Sequence, residues 1–380
     1  MSRSVFIIAG ESSGEIYGAR LALRLSEKWP GIRIMGVGGL RMKEAGVELV
    51  AGITNAIGLV EVLRKLGEIK RSLDMTVAAI ERERPDVLVL IDYPDFNFRV
   101  ARRVREMGIR ILYYVTPQVW AWRKGRLRQM AKFVDRAAVI LPFEEKVLKD
   151  AGIDAEFVGH PIAEEMEGSV PPKLDAKSIL GLDTEKPYLA ILPGSRDSEL
   201  ERLLPVLLRT VQRLAPELPG YGFILSIAPN IEAERYSDLI SMFRELGVHV
   251  TGEDIAMVYA ASEAAVVASG TAAFQAVFTE TPIAVIYKVS PVTYFIMRRL
   301  VDLEYYNLAN LILGREAVKE LIQDEAEPER IADELRGLVS DNERSMKVKR
   351  DLATVRSMFS DRHPTERVAD IIGEMAGWQA

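Results

Sequence analysis

The chain of 380 residues contains no cysteine, which excludes disulfides, thiolate metal sites and cysteine nucleophiles and gives no sign of an oxidising compartment. Its three histidines, His160, His249 and His363, stand far apart, so a zinc site or a nucleophile triad has few candidate groups. Nowhere do about 18 apolar residues run without interruption, so no membrane-spanning helix is expected, although contact with a bilayer surface stays open. Met1 to Gly10 has a single basic residue and passes at once into Val5–Ala9, too short for a signal-peptide core, and reads as a strand. No Gly-x-x-x-x-Gly-Lys-Ser/Thr loop occurs, which excludes a Walker-type ATPase, and the Gly36-x-Gly38-Gly39 turn lacks the full dinucleotide fingerprint. An Asp-x-Asp metal pair is also missing near the strand ends. The formal net charge of −6 argues against a nucleic-acid partner, whose phosphates call for a broad basic surface.

What is present is the balance of a folded protein: 48% hydrophobic and 27% charged residues, with no segment poor enough in apolar residues to stay disordered. The length calls for more than one core, and two domains is the starting expectation. Short apolar runs alternate with longer amphipathic stretches, the pattern of βαβ units in parallel sheets covered by helices. Strands are expected at Val5–Ala9, Arg33–Val37, Val87–Ile91, Ile111–Val115 and Ala137–Leu141, with helices at Ile16–Lys28, Lys65–Glu83 and Phe98–Met107. The prolines of Gly159-His160-Pro161 and Gly168 to Pro172 interrupt regular structure and place the linker there. The pattern then restarts at Tyr188–Leu192, Gly222–Ile227, His249–Val250, Ala264–Ala268 and Ile283–Ile286. The fold class is therefore α/β, two Rossmann-like domains facing across a cleft, one over 1–165 and one over 173–345. A C-terminal helix of about 350–380, broken at Pro364, is expected to pack back on the first, by analogy with other two-sheet enzymes.

Open parallel sheets bind ligands beyond the carboxyl ends of their strands, so the residues just after each apolar run carry the chemistry. Gly10-Glu11-Ser12-Ser13-Gly14-Glu15 is either a capped turn or a helix entrance whose free amides hold an anion or a hydroxyl-rich ligand. In Asp92-Tyr93-Pro94-Asp95-Phe96-Asn97, Asp92 reads as a general base for a sugar hydroxyl and Asp95 as the cap of the following helix. Tyr113 to Arg123 is dense in aromatics, suiting either a sugar- or lipid-receiving site or a buried wedge. The basic run Arg123, Lys124, Arg126, Arg128, Lys132 is either a solvated helix face or a contact for phosphate or an anionic membrane. In the second half, Leu192-Pro193-Gly194-Ser195-Arg196 offers amides and a guanidinium to a diphosphate, and Ser269-Gly270-Thr271 opens a helix whose dipole favours phosphate.

Seven of these segments stand in the order seen in lipid-A-disaccharide synthases. They are Ala9 to Gly14, Ile91 to Asn97, Val115 to Trp122, Leu141-Pro142-Phe143-Glu144, Val158 to Pro161, Leu192 to Arg196 and Ser269 to Ala272, and the chain resembles that family over about its first 340 residues. Asn307 to Leu311, Gly314-Arg315-Glu316 and Glu320 to Glu325 extend the likeness. The resemblance implies a GT-B fold and an inverting, metal-independent transfer of 2,3-diacylglucosamine from UDP to 2,3-diacylglucosamine 1-phosphate, giving a β-1,6-linked disaccharide 1-phosphate and UDP. It implies no cofactor, a homodimer as in many members, and a cytoplasmic protein held peripherally on the inner face of the inner membrane.

By position, the resemblance makes Asp92 the base for the acceptor 6-hydroxyl, with Glu11 and Ser13 on the same acceptor loop. It assigns substrate contacts to Asp95, Asn97, Trp120, Arg196, Ser269, Gly270, Thr271, Gln275, Asn310 and Gln323, and acyl or membrane contact to Leu59, Val60, Val62 and Leu63 in a segment that reads equally as a core helix. Three positions depart from the family pattern: Glu15 replaces an aspartate, Gln275 a glutamate, and Ala309 a proline. Gln275 matters most, because an amide accepts ribose hydroxyls with one atom and no charge. Competing readings are another UDP-sugar enzyme of the same architecture, such as an epimerase or a different sugar transferase, and a non-catalytic nucleotide-sugar sensor.

Overall fold

The computed structural model describes residues 3–10, 12–52, 59–118, 125–291, 293–295 and 303–379, and among these the chain divides into two compact units, 1–161 with 361–380, and 162–360. Glu11 and Trp120 lie outside the described residues, as do the side chains of Leu59, Val60, Val62 and Leu63. Their backbone opens the helix Leu59–Glu83, which begins earlier than the expected Lys65.

The first unit is a parallel sheet of seven strands in the order β3-β2-β1-β4-β5-β6-β7. These are β1 Ser4–Ala9, β2 Arg33–Gly38, β3 Glu48–Gly52, β4 Val87–Ile91, β5 Arg110–Tyr114, β6 Arg136–Val139 and β7 Ala155–Phe157. The central strands β1 and β4 are buried along their whole length, which is why they read as unbroken apolar runs: helices cover both faces. Strands β3 and β7 were not expected. Glu48–Gly52 has one strongly β-forming residue, Val50, and Ala155–Phe157 is only three residues long, so neither carries a periodic signal.

The second unit repeats the plan with six parallel strands in the order β10-β9-β8-β11-β12-β13, the doubly wound arrangement of a Rossmann half-pair. Here β8 is Tyr188–Leu192, β9 Gly222–Ser226, β10 His249–Thr251, β11 Ala264–Ala268, β12 Ile283–Tyr287 and β13 Lys319–Ile322. Only the edge strand β13, whose four residues are two charged followed by two apolar, was missed. Strand order reverses between β1 and β4 in one sheet and between β8 and β11 in the other, and these are the points where open sheets leave a ligand crevice.

The C-terminal stretch is not one body. Helix Asn342–Ser357 stays with the second unit, anchored by the bidentate Arg315–Asp351 pair at 2.7 and 2.8 Å, and Phe359 wedges edge-on against Phe274 and Phe278. Only helix Pro364–Ala376 joins the first unit, where Val368, Ala369, Ile371 and Ile372 are fully buried beside Trp29 and Leu25. Each such aliphatic burial stabilises by roughly 1.5–3 kcal/mol. Arg24 and Lys28 pair with its Glu366, holding that carboxyl down to about 2, and Lys28 also reaches Asp370. The expected linker also holds more order than its prolines suggest, since Pro161 opens a short helix, Pro161–Met166, where its missing N–H costs nothing.

Just before that helix, His160 is buried, and burial pushes its imidazole down to about 3. The folded state keeps it neutral at pH values where the unfolded chain, near 6.5, takes up a proton, so stability falls as pH drops through that window. We expect a loss of about 1.4 kcal/mol per pH unit below 6.5, roughly 2 kcal/mol by pH 5. Urea midpoints at pH 7 and 5 for wild type and His160→Asn test this, because the variant should lose that part of the slope.

Candidate active site

At the first reversal point the backbone is forced into an unusual shape. Asp92 and Tyr93, directly after β4, both have φ of 45°, and Val115, directly after β5, has φ of 56°. Left-handed backbone is uncommon without glycine and a true outlier for a β-branched side chain, so three such residues at adjacent strand ends mark a place where the surroundings override local preference. The bonds responsible are visible. The Asp92 N–H donates to the Val115 carbonyl at 3.2 Å, and the Asp92 carbonyl accepts from the Tyr113 hydroxyl and from Asn97 Nδ2, each at 2.7 Å. Tyr113 stays protonated and able to donate, because burial, then the negative charge of Asp92, pushes its hydroxyl well above the ordinary value. The Asp92 side chain is half-buried at the carboxyl edge of the sheet.

The neighbouring strand end is fitted to this loop. The Tyr93 ring stacks on Phe96 at 5.1 Å and lies so close over Gly10 that a β-carbon there would sit 2.1 Å from ring atoms. Only glycine lets the β1 turn approach. Ser13 follows in the first turn of helix Ser12–Lys28, half-buried, while Glu15 accepts from the Arg41 N–H at 2.7 Å and so ties this helix to the start of the short helix Leu40–Glu44 that follows β2.

Two expected contacts have structural partners. Asn97 is wholly buried and its Nδ2 donates to the carbonyls of Asp92 and Ile91, which supports the base, while no hydrogen bond reaches its Oδ1. Asp95 is not the cap of its helix, because Tyr93 holds that position; its exposed carboxylate pairs with Arg126, whose guanidinium lies 5.3 Å from the centre of the Phe98 ring. Arg126 thereby leaves the basic run, of which Arg128 and Lys132 remain exposed.

In the second unit, Arg196 after β8 and Ser269-Gly270-Thr271 after β11 stand at the carboxyl ends of adjacent parallel strands. Helix Thr271–Thr279 begins at Gly270 with no side-chain cap, and Gly270 and Thr271 are exposed, so its start is an open turn where the helix dipole favours an anion. Gln275 lies one turn further on and is buried. The Pro193-Gly194-Ser195-Arg196 loop differs from expectation: two of its amides, those of Ser195 and Arg196, are already engaged. Glu199 Oε2 accepts from Ser195 N at 2.9 Å and Arg196 N at 3.2 Å, while Oε1 accepts from Arg196 Nη1 at 2.9 Å.

Two more of the residues named from the resemblance lie toward the β13 edge of this sheet. Asn310 is fully buried, with Nδ2 donating to Val318 O and Glu320 Oε1 and Oδ1 accepting from Ala317 N and Val318 N, all within 2.7 to 2.9 Å. An amide has four such capacities, so none remains for a ligand. Gln323 is likewise buried and clamps the backbone of Val289, accepting at 2.6 Å and donating at 3.1 Å. Glu320, which sequence reading did not single out as functional, accepts from Tyr306 N, Asn307 N and Asn310 and is the hub of this knot. Its signal was the charged residue within the short β13 run.

Among the described residues no cluster of three or more His, Asp or Glu is placed to hold a metal, and no helix is long and apolar enough to cross a membrane. Residues 5–369 match the family described as lipid-A-disaccharide synthetase. The lipid-A-disaccharide synthase of Syntrophus aciditrophicus is 39% identical over 370 residues, covering 97% of this chain and 96% of the relative. That of Geobacter sulfurreducens is 38% identical over 383 residues, covering 100% and 98%. Among solved structures, the UDP-GlcNAc 2-epimerase from Neisseria meningitidis bound to UDP-GlcNAc superposes with a TM-score of 0.67 at 11% identity, covering 98% of this chain and 100% of that one, which is a likeness of fold. The two parallel-sheet units are thus those of a GT-B enzyme, and the chain belongs to the lipid-A-disaccharide synthase family, glycosyltransferases that form the disaccharide of lipid A.

Proposed function

We propose that this enzyme moves 2,3-diacylglucosamine from UDP onto the 6-hydroxyl of 2,3-diacylglucosamine 1-phosphate, with inversion at the anomeric carbon. The observation that carries the reading is the built loop at the first reversal point, where Tyr113, Asn97 and Val115 hold Asp92 in a left-handed backbone beside two further residues of positive φ, Tyr93 and Val115. Such stored strain is typical of residues that do chemistry. The acceptor oxygen attacks the anomeric carbon, its proton passes to the Asp92 carboxylate, and the bond to the UDP oxygen breaks. Glu11 and Ser13 orient the acceptor from the β1 turn. Arg196 and the uncapped start of helix Thr271–Thr279 stabilise the departing diphosphate, a fixed-charge and dipolar arrangement that needs no reorganisation during the step. Both sugars carry acyl chains, so the enzyme works at the inner face of the inner membrane as a peripheral protein.

Incubating the purified protein with UDP-2,3-diacylglucosamine and 2,3-diacylglucosamine 1-phosphate tests this. The expected products are UDP and one disaccharide 1-phosphate of β configuration. Release of a free epimer would instead favour the epimerase reading, and tight UDP binding without turnover would favour a sensor.

A further inference from the structure

The carboxylate of Glu199 occupies the place in the 193–196 loop that an anion would take, and this has a consequence for how that loop meets a nucleotide. Gly194 has φ of 114°, and a β-carbon on it would lie 2.2 Å from Glu199 Oε2, so loop and carboxylate are shaped to each other. Both oxygens are committed, one to two backbone amides and one to the guanidinium. The pair is lopsided: the Glu199 side chain is 15% exposed and that of Arg196 66% exposed. The carboxylate thus holds the guanidinium through Nη1 and leaves most of it open to solvent, after a strand that pairs with the one feeding helix Thr271–Thr279. Tyr287, at the end of β12, lies within the field of both charges.

We propose that Glu199 is a positioning residue for diphosphate recognition: it takes the Ser195 and Arg196 amides for itself and presents the Arg196 guanidinium to the phosphates. This rests on the UDP-sugar reading above. Binding a flexible arginine to phosphate costs side-chain entropy, and a guanidinium already pinned by a carboxylate loses less on meeting the ligand. Because the Glu199 charge is spent on three donors, it does not repel the incoming phosphates as a free carboxylate would.

Calorimetric titration of the full chain with UDP and with uridine separates this role from simple support of the fold. Wild type should bind UDP more tightly than uridine. Glu199→Gln, which keeps an oxygen for the amides and loses the charge on the arginine, should weaken UDP about 10-fold and uridine less than about twofold. The double variant Glu199→Gln/Arg196→Gln should bind UDP no more weakly than Arg196→Gln alone, since the first residue acts through the second. Tighter UDP binding by Glu199→Gln, equal losses for both ligands, or additive losses in the double variant would overturn the proposal. If Glu199→Gln does not fold, Glu199→Asp, too short to reach both groups, is read by the same outcomes. Wild type that binds neither ligand sinks the UDP-sugar reading itself, whereas selective wild-type binding with an indifferent Glu199→Gln sinks only the positioning role.

Discussion

Replacing Asp92 with asparagine is expected to lower turnover about 100-fold or more while leaving UDP affinity within about twofold, the scale of a lost general base. The geometry makes this substitution unusually clean. Tyr113 and Asn97 both bind the backbone oxygen of residue 92, and Val115 accepts from its N–H, so none of the three bonds involves the carboxylate. Asparagine is also among the few residues that tolerate a φ of 45°. The loop should keep these three bonds while losing its proton acceptor. Steady-state kinetics with both lipid substrates, alongside UDP titration, gives the check: near-normal turnover would remove Asp92 from the role of base.

The second large effect is on stability. Asn310→Ala should cost about 4 kcal/mol, because it strands the buried N–H groups of Ala317 and Val318 and the Val318 carbonyl, and removes one donor from Glu320. Resemblance alone places Asn310 among the donor contacts, whereas its surroundings make it the keystone of the 306–320 region. Urea denaturation decides between the two: an unchanged midpoint combined with a raised donor KM would return it to the ligand.

These two residues show what was readable from sequence and what was not. Strand runs such as Val87–Ile91 and Ala264–Ala268 announce themselves because full burial demands apolar residues without interruption. Their carboxyl ends follow at once, and with them Asp92, Arg196 and Thr271. The edge strands β3, β7 and β13 are short or mixed in polarity, so no period reveals them. What stays hidden is the partner of each polar group. Asn97, Asn310 and Gln323 look like ligand residues in a linear motif, yet each also binds backbone groups whose approach a linear motif does not display. Glu199 escaped notice for the converse reason: a glutamate in the first turn of a helix reads as an ordinary response to the dipole, and its reach back to Gly194 depends on a turn whose φ no sequence pattern displays.

The first unit takes its last helix, Pro364–Ala376, from beyond the whole of the second, and the Arg24–Glu366 pair joins residues 342 positions apart. A ribosome working from the amino terminus delivers the seven strands of that sheet early but withholds Val368, Ile371 and Ile372, so Trp29 and Leu25 wait uncovered while an entire further sheet emerges and closes. The half of the molecule made first is therefore completed last, and nascent chains arrested before Pro364 should display a sticky apolar strip that holdase chaperones recognise.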